Sequence, residues 1–203
     1  MLVGGKVNPN HKEDAPLMSD VTTTPATLTG NYTVDPVHSR IGFSARHMMV
    51  SKVRGQFTEY SGSGYFDAED PSQSRAELTI KVNSIDTHNP DRDAHLRSND
   101  FLAMDEHPEV TFNSTKVEAA AGRLFRVTGD LTIRGVTKQV TLDLEYLGAT
   151  TDPWGNQRVG FEGGTTINRK DWGVNFNATL EAGGLVVSDN INLEIDIEAV
   201  KAD

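Results

Sequence analysis

The chain has 203 residues, with 19 Lys and Arg against 29 Asp and Glu, a net charge of −10, and 36% hydrophobic content. That length fits one domain with tails at roughly 150 residues per domain, and scattered basic residues in an acidic chain exclude nucleic acid as a partner. The absence of cysteine removes disulfides, thiol catalysis and Cys-ligated zinc.

Residues 1–29 are rich in Thr, Pro, Asn and charge and carry no apolar period, which predicts a disordered extension ahead of a domain at 30–203. Met18 offers a second start, so residues 1–17 could be a tag remnant. The segment MLVGGKVNPNHKEDAPL lacks the apolar stretch of about 7–15 residues that marks a secretory signal, and no run reaches the ~18 apolar residues of a membrane span. The expectation is a cytoplasmic protein with no transmembrane segment.

From residue 30 the dominant period is two. Ile41/Phe43/Ala45 alternate with polar neighbours, as do Ala76/Leu78/Ile80/Val82, Val127/Gly129/Leu131/Ile133 and Val140/Leu142/Leu144/Tyr146. The clearest strand is 191–199, where Ile191, Leu193, Ile195, Ile197 and Ala199 alternate with Asn192, Glu194, Asp196 and Glu198. Weaker versions run through 53–66, 109–118, 158–169 and 172–182. Turn chemistry such as Asp70-Pro71, Ala121-Gly122, Arg134-Gly135 and Ser188-Asp189-Asn190 separates them. Eight or nine long, one-sided strands joined by short turns predict an all-β antiparallel meander that closes into a barrel in preference to a Greek-key sandwich.

The stretch HNPDRDAHLRSNDFLAMDEHP at 88–108 breaks the period. Asn89 and Pro90 suit an N-cap and a first helical residue, and Asp91 and Asp93 suit the positive end of the helix dipole. This predicts a short helical lid near 89–104, running through about Leu96, then a second turn capped by Ser98 that carries Phe101 and Leu102.

Few residues invite chemistry. His88, His95 and His107, with Asp91 and Asp93 nearby, raise a metal-dependent hydrolytic reading, but the i, i+4 histidine spacing of HExxH is absent. No G-x-S-x-G occurs, and His38 and Ser39 are adjacent in an extended segment, so they point apart. Gly62 and Gly64 precede no helix, so no phosphate loop or other cofactor signature stands; no cofactor, resident metal or catalytic residue is expected. What remains is the interior: Phe43, Phe57, Leu78, Ile80, Phe112, Leu131, Ile133, Phe161, Ile167, Phe176 and Ile195 at inward positions, with Phe101 on the lid. An eight-stranded barrel can be filled or can hold one small ligand, and Gly55, Gly62, Gly64 and Gly129, by thinning the strands, favour a cavity.

Four blocks, YTVDPVHSRIGFSARHMMVSKVRGQF at 32–57, HNPDRDAHLRSNDF followed by HPEVTFNS, GDLTIRGVTKQVTLDL at 129–144 and GFEGGTTINRKDWG at 160–173, resemble the YceI-like family in order and content. The resemblance implies an extended, lipocalin-like barrel whose apolar interior holds a polyisoprenoid, as an isoprenoid quinone or a polyprenyl phosphate, in bacterial carriers or stress-response proteins, several of them periplasmic. The twelve apolar residues named above would then meet the tail. Arg92, His95 and His47 would meet the headgroup, with Asp93 fixing the His95 tautomer in support. Eight isoprene units at about 3 kcal/mol each would exceed the practical affinity ceiling of roughly 18–21 kcal/mol, so a long tail need not be wholly enclosed.

The reading is therefore a non-enzymatic carrier or sequestering protein for an isoprenoid lipid. The alternatives are the metal-dependent hydrolase and a solid-core interaction or stress-response module. RHMMVSKV, around Met48, Met49 and Val50, is the most apolar stretch expected partly outside, where it could support a homodimer.

Overall fold

Strands with one apolar face must bury that face, and a sheet that curls until its edges meet does so without leaving an unpaired edge. The structure, a computed structural model, describes residues 25–48, 50–178 and 186–202. Eleven strand segments run in chain order: β1 (Gly30–Val34), β2 (Arg40–His47), β3 (Ser51–Phe57), β4 (Tyr60–Phe66), β5 (Arg75–Lys81), β6 (Ile85–Asp86), β7 (Glu109–Ala119), β8 (Leu124–Ile133), β9 (Val136–Thr151), β10 (Gln157–Asn168) and β11 (Val187–Lys201). They pair antiparallel in the order β1-β4-β5-β7-β8-β9-β10-β11, and β11 returns to β1 through Val34↔Ala199 and Tyr32↔Lys201. This is a closed barrel.

Three of its staves are bent strands in two pieces. β1 and β2 share β11 as partner, β3 and β4 are separated by Thr58 and Glu59, and β5 and β6 by a 3-10 turn at Val82–Ser84. Counting each bent pair once gives eight strands. In the half built from β2, β3 and β6, pairing stops at the two-residue β6, and the chain crosses to β7 through α2 (Pro90–Arg97) and the irregular stretch 98–108.

The helix forms where its caps are. The Asn89 side chain accepts from the Arg92 N–H at 3.0 Å, Pro90 opens the first turn, and the Ser98 N–H bonds the His95 carbonyl at the other end. Ser98 ends this helix and opens the expected second turn: its hydroxyl accepts from the Asp100 N–H at 3.3 Å and its carbonyl takes the N–H groups of Phe101 and Ala103, so Phe101 and Leu102 sit on that turn.

Three expectations change. The stretch 53–66 is two strands. Residues 172–178 hold no strand: a 3-10 turn over Arg169–Trp172 is followed by irregular chain, because the buried Arg169 guanidinium takes the Val174 and Phe176 carbonyls that a ladder would have used; residues 179–182 of that expectation lie outside the described residues. The ordered body also reaches back before residue 30. A short helix α1 (Pro25–Leu28) buries Leu28, the Tyr32 hydroxyl donates to its carbonyl at 2.7 Å, and the Ala68 N–H donates to the Thr29 hydroxyl. Residues 1–24 of the expected extension lie outside the described residues. Among the described residues no helix is long and apolar enough to cross a membrane.

The buried core runs inside the barrel, with Ile41, Ile80, Val110, Phe112, Val127, Leu131, Leu142, Ile167 and Trp172 around the middle and the α2 end, and Leu28, Tyr32, Val159 and Ala199 at the opposite end. Tight strand packing depends on glycine at one place above others. A Cβ on Gly164 would lie 1.9 Å from the Leu193 carbonyl oxygen, so only glycine lets β10 and β11 approach this closely.

Candidate functional site

The inward faces of the strands do not meet in the middle. They enclose a cavity of about 630 Å³ that runs much of the barrel's length. All twelve residues expected to face inward line it: Phe43, Phe57, Leu78, Ile80, Phe101, Phe112, Leu131, Ile133, Phe161, Ile167, Phe176 and Ile195. They share the wall with further aliphatic residues such as Val127, Leu142, Leu144 and Leu193. The interior is therefore hollow and oily, within the size range of small-molecule sites, and no solid core fills it.

The glycines expected to thin the wall act differently. The Phe43 ring lies over Gly55, so that a Cβ there would fall 2.4 Å from Phe43 Cζ, and the Phe112 ring covers Gly129 in the same way at 2.5 Å. Above Gly62 and Gly64 a Cβ would meet Val34 and the Glu77 carbonyl, and the Arg75 carbonyl. Each glycine makes room for a neighbouring ring or backbone. The Phe43 and Phe112 rings lie close over these two glycines and still line the cavity.

One end is closed by aromatic rings. Phe66 stands 5.7–6.4 Å from Tyr32, Phe125, Tyr146 and Phe161, mostly edge to face. Burial pushes the Tyr32 and Tyr146 hydroxyls above their ordinary pKa, which keeps both phenols neutral. Beside this end the cavity also reaches the surface at Arg75, Ala76 and Glu77, the exposed start of β5.

The other end carries the polar groups. Arg46, His47, Arg92, His95 and Arg169 all line it, and Arg46 and His95 are exposed there. Arg92 donates from Nε to the Thr87 hydroxyl at 2.7 Å and from Nη2 to the Thr87 carbonyl at 2.8 Å. Its Nη1 has no protein partner among the described residues. The buried Asp93 accepts from the same threonine, from its N–H at 2.9 Å and its hydroxyl at 2.5 Å. Asp93 thus supports Arg92 through Thr87 and lies off the cavity wall. It does not orient His95, whose Nε2 pairs with Asp100 at 2.7 Å. The His95 ring packs edge to face on Phe101 and Phe176, with centroids 5.0 and 4.9 Å away.

Sequence reasoning passed over Arg169, Trp172 and Thr87. Arg169 is buried at 5% exposure, yet it lines the cavity and donates to the carbonyls of Val174, Phe176 and Ser188, with Asp189 at 3.4 Å. Burial lowers its pKa and Asp189 raises it, the burial effect being larger. Trp172, also buried, donates its indole N–H to the Leu131 carbonyl and fixes this turn against β8. The only sequence signal for Arg169 and Trp172 was their place in the block GFEGGTTINRKDWG, since an arginine beside Lys170 and Asp171 reads as a solvated surface.

The three histidines of the metal reading do not converge. His88 is exposed beside Asp86, His95 pairs with Asp100, and the His107 ring lies over Gly135. Among the described residues, ligand atoms of three metal-binding residues come together only at Asp35, His38 and Glu198, on the outer wall. Arg158 already supplies the cation there: it pairs with Asp35 at 2.7 Å, with Asp152 at 3.0 Å and with Glu198. Its hydrogen bond holds the Asp35 carboxyl far below the usual carboxylate range, with His38 adding to the effect, and the Asn156 side chain leads the groups that hold Asp152 at about 2. This network ties the break between β1 and β2 to the β9–β10 turn.

Against known proteins, a model of the YceI-like domain matches residues 32–199. A UPF0312 protein of Photorhabdus laumondii is 41% identical over 176 residues, covering 86% of this chain and 88% of its own. Among solved structures, the Campylobacter jejuni YCEI protein superposes with a TM-score of 0.68 at 33% identity, covering 78% of this chain and 90% of its own. A polyisoprenoid binding domain from Saccharophagus degradans, implicated in plant cell wall breakdown, superposes at 0.61 and 18% identity, a likeness of fold, covering 84% and 98%.

Proposed function

The chain belongs to the YceI-like family, and we propose that it binds an isoprenoid lipid in the barrel interior and carries or sequesters it without chemical change. The observation that carries this reading is the oily cavity of about 630 Å³, closed by rings at one end and lined by cationic side chains at the other. The polyisoprenoid binding domain of Saccharophagus degradans shares the fold and lends support. At about 30 Å³ per carbon-sized group, the volume of one water in the liquid, the cavity accepts about 21 carbons or about four isoprene units. Four units at about 3 kcal/mol give about 12 kcal/mol of apolar burial before the costs of ordering and association, enough for tight but reversible binding.

The headgroup, a quinone ring or a phosphate, would sit at the α2 end. There Arg92 Nη1 is available to donate, and His95 and His47 offer further contacts. Since Nε and one Nη2 hydrogen of Arg92 are spent on Thr87, the guanidinium would bind a headgroup through its outer edge.

Organic extraction of freshly purified protein, followed by mass spectrometry, tests the reading. One equivalent of a polyprenyl lipid is the expected result. A clean blank from a native-like host, together with no uptake of added isoprenoid quinone or polyprenyl phosphate, would overturn it.

A further inference from the structure

Among the basic residues of the β2–β3 hairpin, Lys52 and Arg54 do not line the cavity, and Arg46 lines it at the polar end. Residues 36–58 contain Arg40, Arg46, Lys52 and Arg54 and not one acidic residue, in a chain whose net charge is −10. Arg40 is neutralised by Glu194 at 3.2 Å. Arg46, Lys52 and Arg54 enter no ion pair among the described residues, although Lys52 influences Glu194 from a distance. Strand alternation places them together on the outer face of the β2–β3 hairpin, with Arg46 directly opposite Lys52 and Arg54 opposite Ser44. Like charges facing each other across a ladder destabilise it, and a negatively charged surface would remove that cost.

The tip of this hairpin is apolar and bare. Val50 is 82% exposed and Met48 40% exposed, while the Met48 N–H is pinned to the Val186 carbonyl at 2.9 Å. His47, one residue before the tip, lines the cavity, and the half-apolar rim continues across to Phe176, 36% exposed. Cations, an exposed aliphatic tip and the opening of an oily cavity are therefore contiguous.

We infer that the β2–β3 hairpin docks the protein on an anionic lipid bilayer, with Val50 and Met48 entering the interface and Arg46, Lys52 and Arg54 meeting the headgroups. The charges complement such a surface, and the apolar tip needs an apolar medium that the acidic strand faces of a second copy do not offer. Docked in this way, the cavity would open towards the bilayer, and cargo could pass without crossing water. That last clause rests on the lipid-carrier reading; the docking itself does not.

The experiment is co-sedimentation of the full chain with vesicles of phosphatidylcholine alone and of phosphatidylcholine mixed with phosphatidylglycerol, at low and physiological salt. Binding should be confined to the anionic vesicles and weaken with salt. The variant K52Q/R54Q should bind about thirtyfold more weakly, from two cations lost, and V50S should also bind more weakly. Both should keep the wild-type lipid content, since neither touches the cavity, and K52Q/R54Q should melt no lower than wild type because it removes the like charge opposite Arg46. Equal binding to both vesicle types, binding to neither, or wild-type binding by both variants would overturn the proposal, as would a dimer in sedimentation that K52Q/R54Q abolishes. Vesicle binding by protein whose extract is blank and which takes up no added isoprenoid quinone or polyprenyl phosphate would leave docking standing and remove the carrier reading. Lipid-loaded protein that ignores vesicles would do the reverse.

Discussion

If the Phe43 ring owes its place to the missing side chain at residue 55, Gly55→Ala should act through that ring. The new Cβ would lie 2.4 and 2.8 Å from Phe43 Cζ and Cε1 and 2.8 Å from Thr87 Cγ2, closer than carbon atoms approach. The ring, which rests tilted on Phe57 with centroids 5.8 Å apart, has only the cavity to move into. Overpacking of this kind costs about 1–3 kcal/mol, or a fall of about 3–10 °C in melting temperature for a domain of this size. Phe43→Ala removes a half-buried ring and should itself destabilise by about 2–3 kcal/mol. Once the ring is gone, the two shortest Phe43 contacts vanish and the threonine methyl at 2.8 Å is the nearest atom to the new Cβ, so the double variant should be more stable than the sum of the singles by about 1–2 kcal/mol. Thr87→Ser keeps the hydroxyl that bonds Asp93 and Arg92 and should relieve that residual contact. Urea unfolding supplies the energies, and extracted lipid per mole supplies a second reading: reduced in Gly55→Ala, restored in the double variant. Additivity within about 0.5 kcal/mol, or unchanged lipid content in the single variant, would refute the idea that ring and glycine share one space.

Arg169→Ala should cost about 3–5 kcal/mol in urea unfolding, because it strands the carbonyls of Val174, Phe176 and Ser188, and Arg169→Lys should recover less than half of that; a loss under about 0.5 kcal/mol would show that the bonds are replaceable. Leu144→Trp, on a half-buried residue of the cavity wall, should lower bound lipid while the fold survives, whereas lipid content equal to wild type would place cargo elsewhere. Acid should destabilise the protein through the Arg158 network. Asp152 stands at about 2 and Asp35 is also depressed when folded, both below an unfolded value of about 3.9, so the native state binds fewer protons. Their contribution is complete above about pH 5 and is lost as pH falls towards 2. Melting temperatures across that window should fall less steeply in Arg158→Ala, which removes the largest influence on Asp35; identical slopes would disprove the link.

The alternation of apolar and polar residues was sufficient to read an all-β barrel with about eight staves, because period two is a local property that each strand displays by itself. The helix was equally legible, since Asn89 and Pro90 mark its start and Ser98 caps the turn that follows it, all within one short segment. Eleven inward residues were read from the same alternation and Phe101 from the lid, and all twelve line one cavity. Residues 172–178 were misread because Val174 and Phe176 carry the right spacing while the buried Arg169 takes their carbonyls, a competition visible only once the chain is folded. Asp93 was assigned to His95, two positions along the helix, yet i, i+2 side chains do not face each other, so the carboxylate turns to Thr87 and Asp100 reaches the imidazole.

Composition and periodicity by themselves determined that this chain makes a closed antiparallel barrel with an oily inner face and an acidic outer one. They could not determine whether that inner face closes on itself. Whether a barrel is filled depends on the sum of side-chain volumes against its circumference, and on where each ring lies. In the folded chain Phe43 lies over Gly55 and Phe112 over Gly129, and a cavity remains between the strands. Pairing across the β2–β3 hairpin likewise set Arg46 opposite Lys52 and Arg54 opposite Ser44 on one outer face, and tertiary structure alone placed the buried Arg169 on the cavity wall, because burial of a side chain depends on what the rest of the chain packs around it.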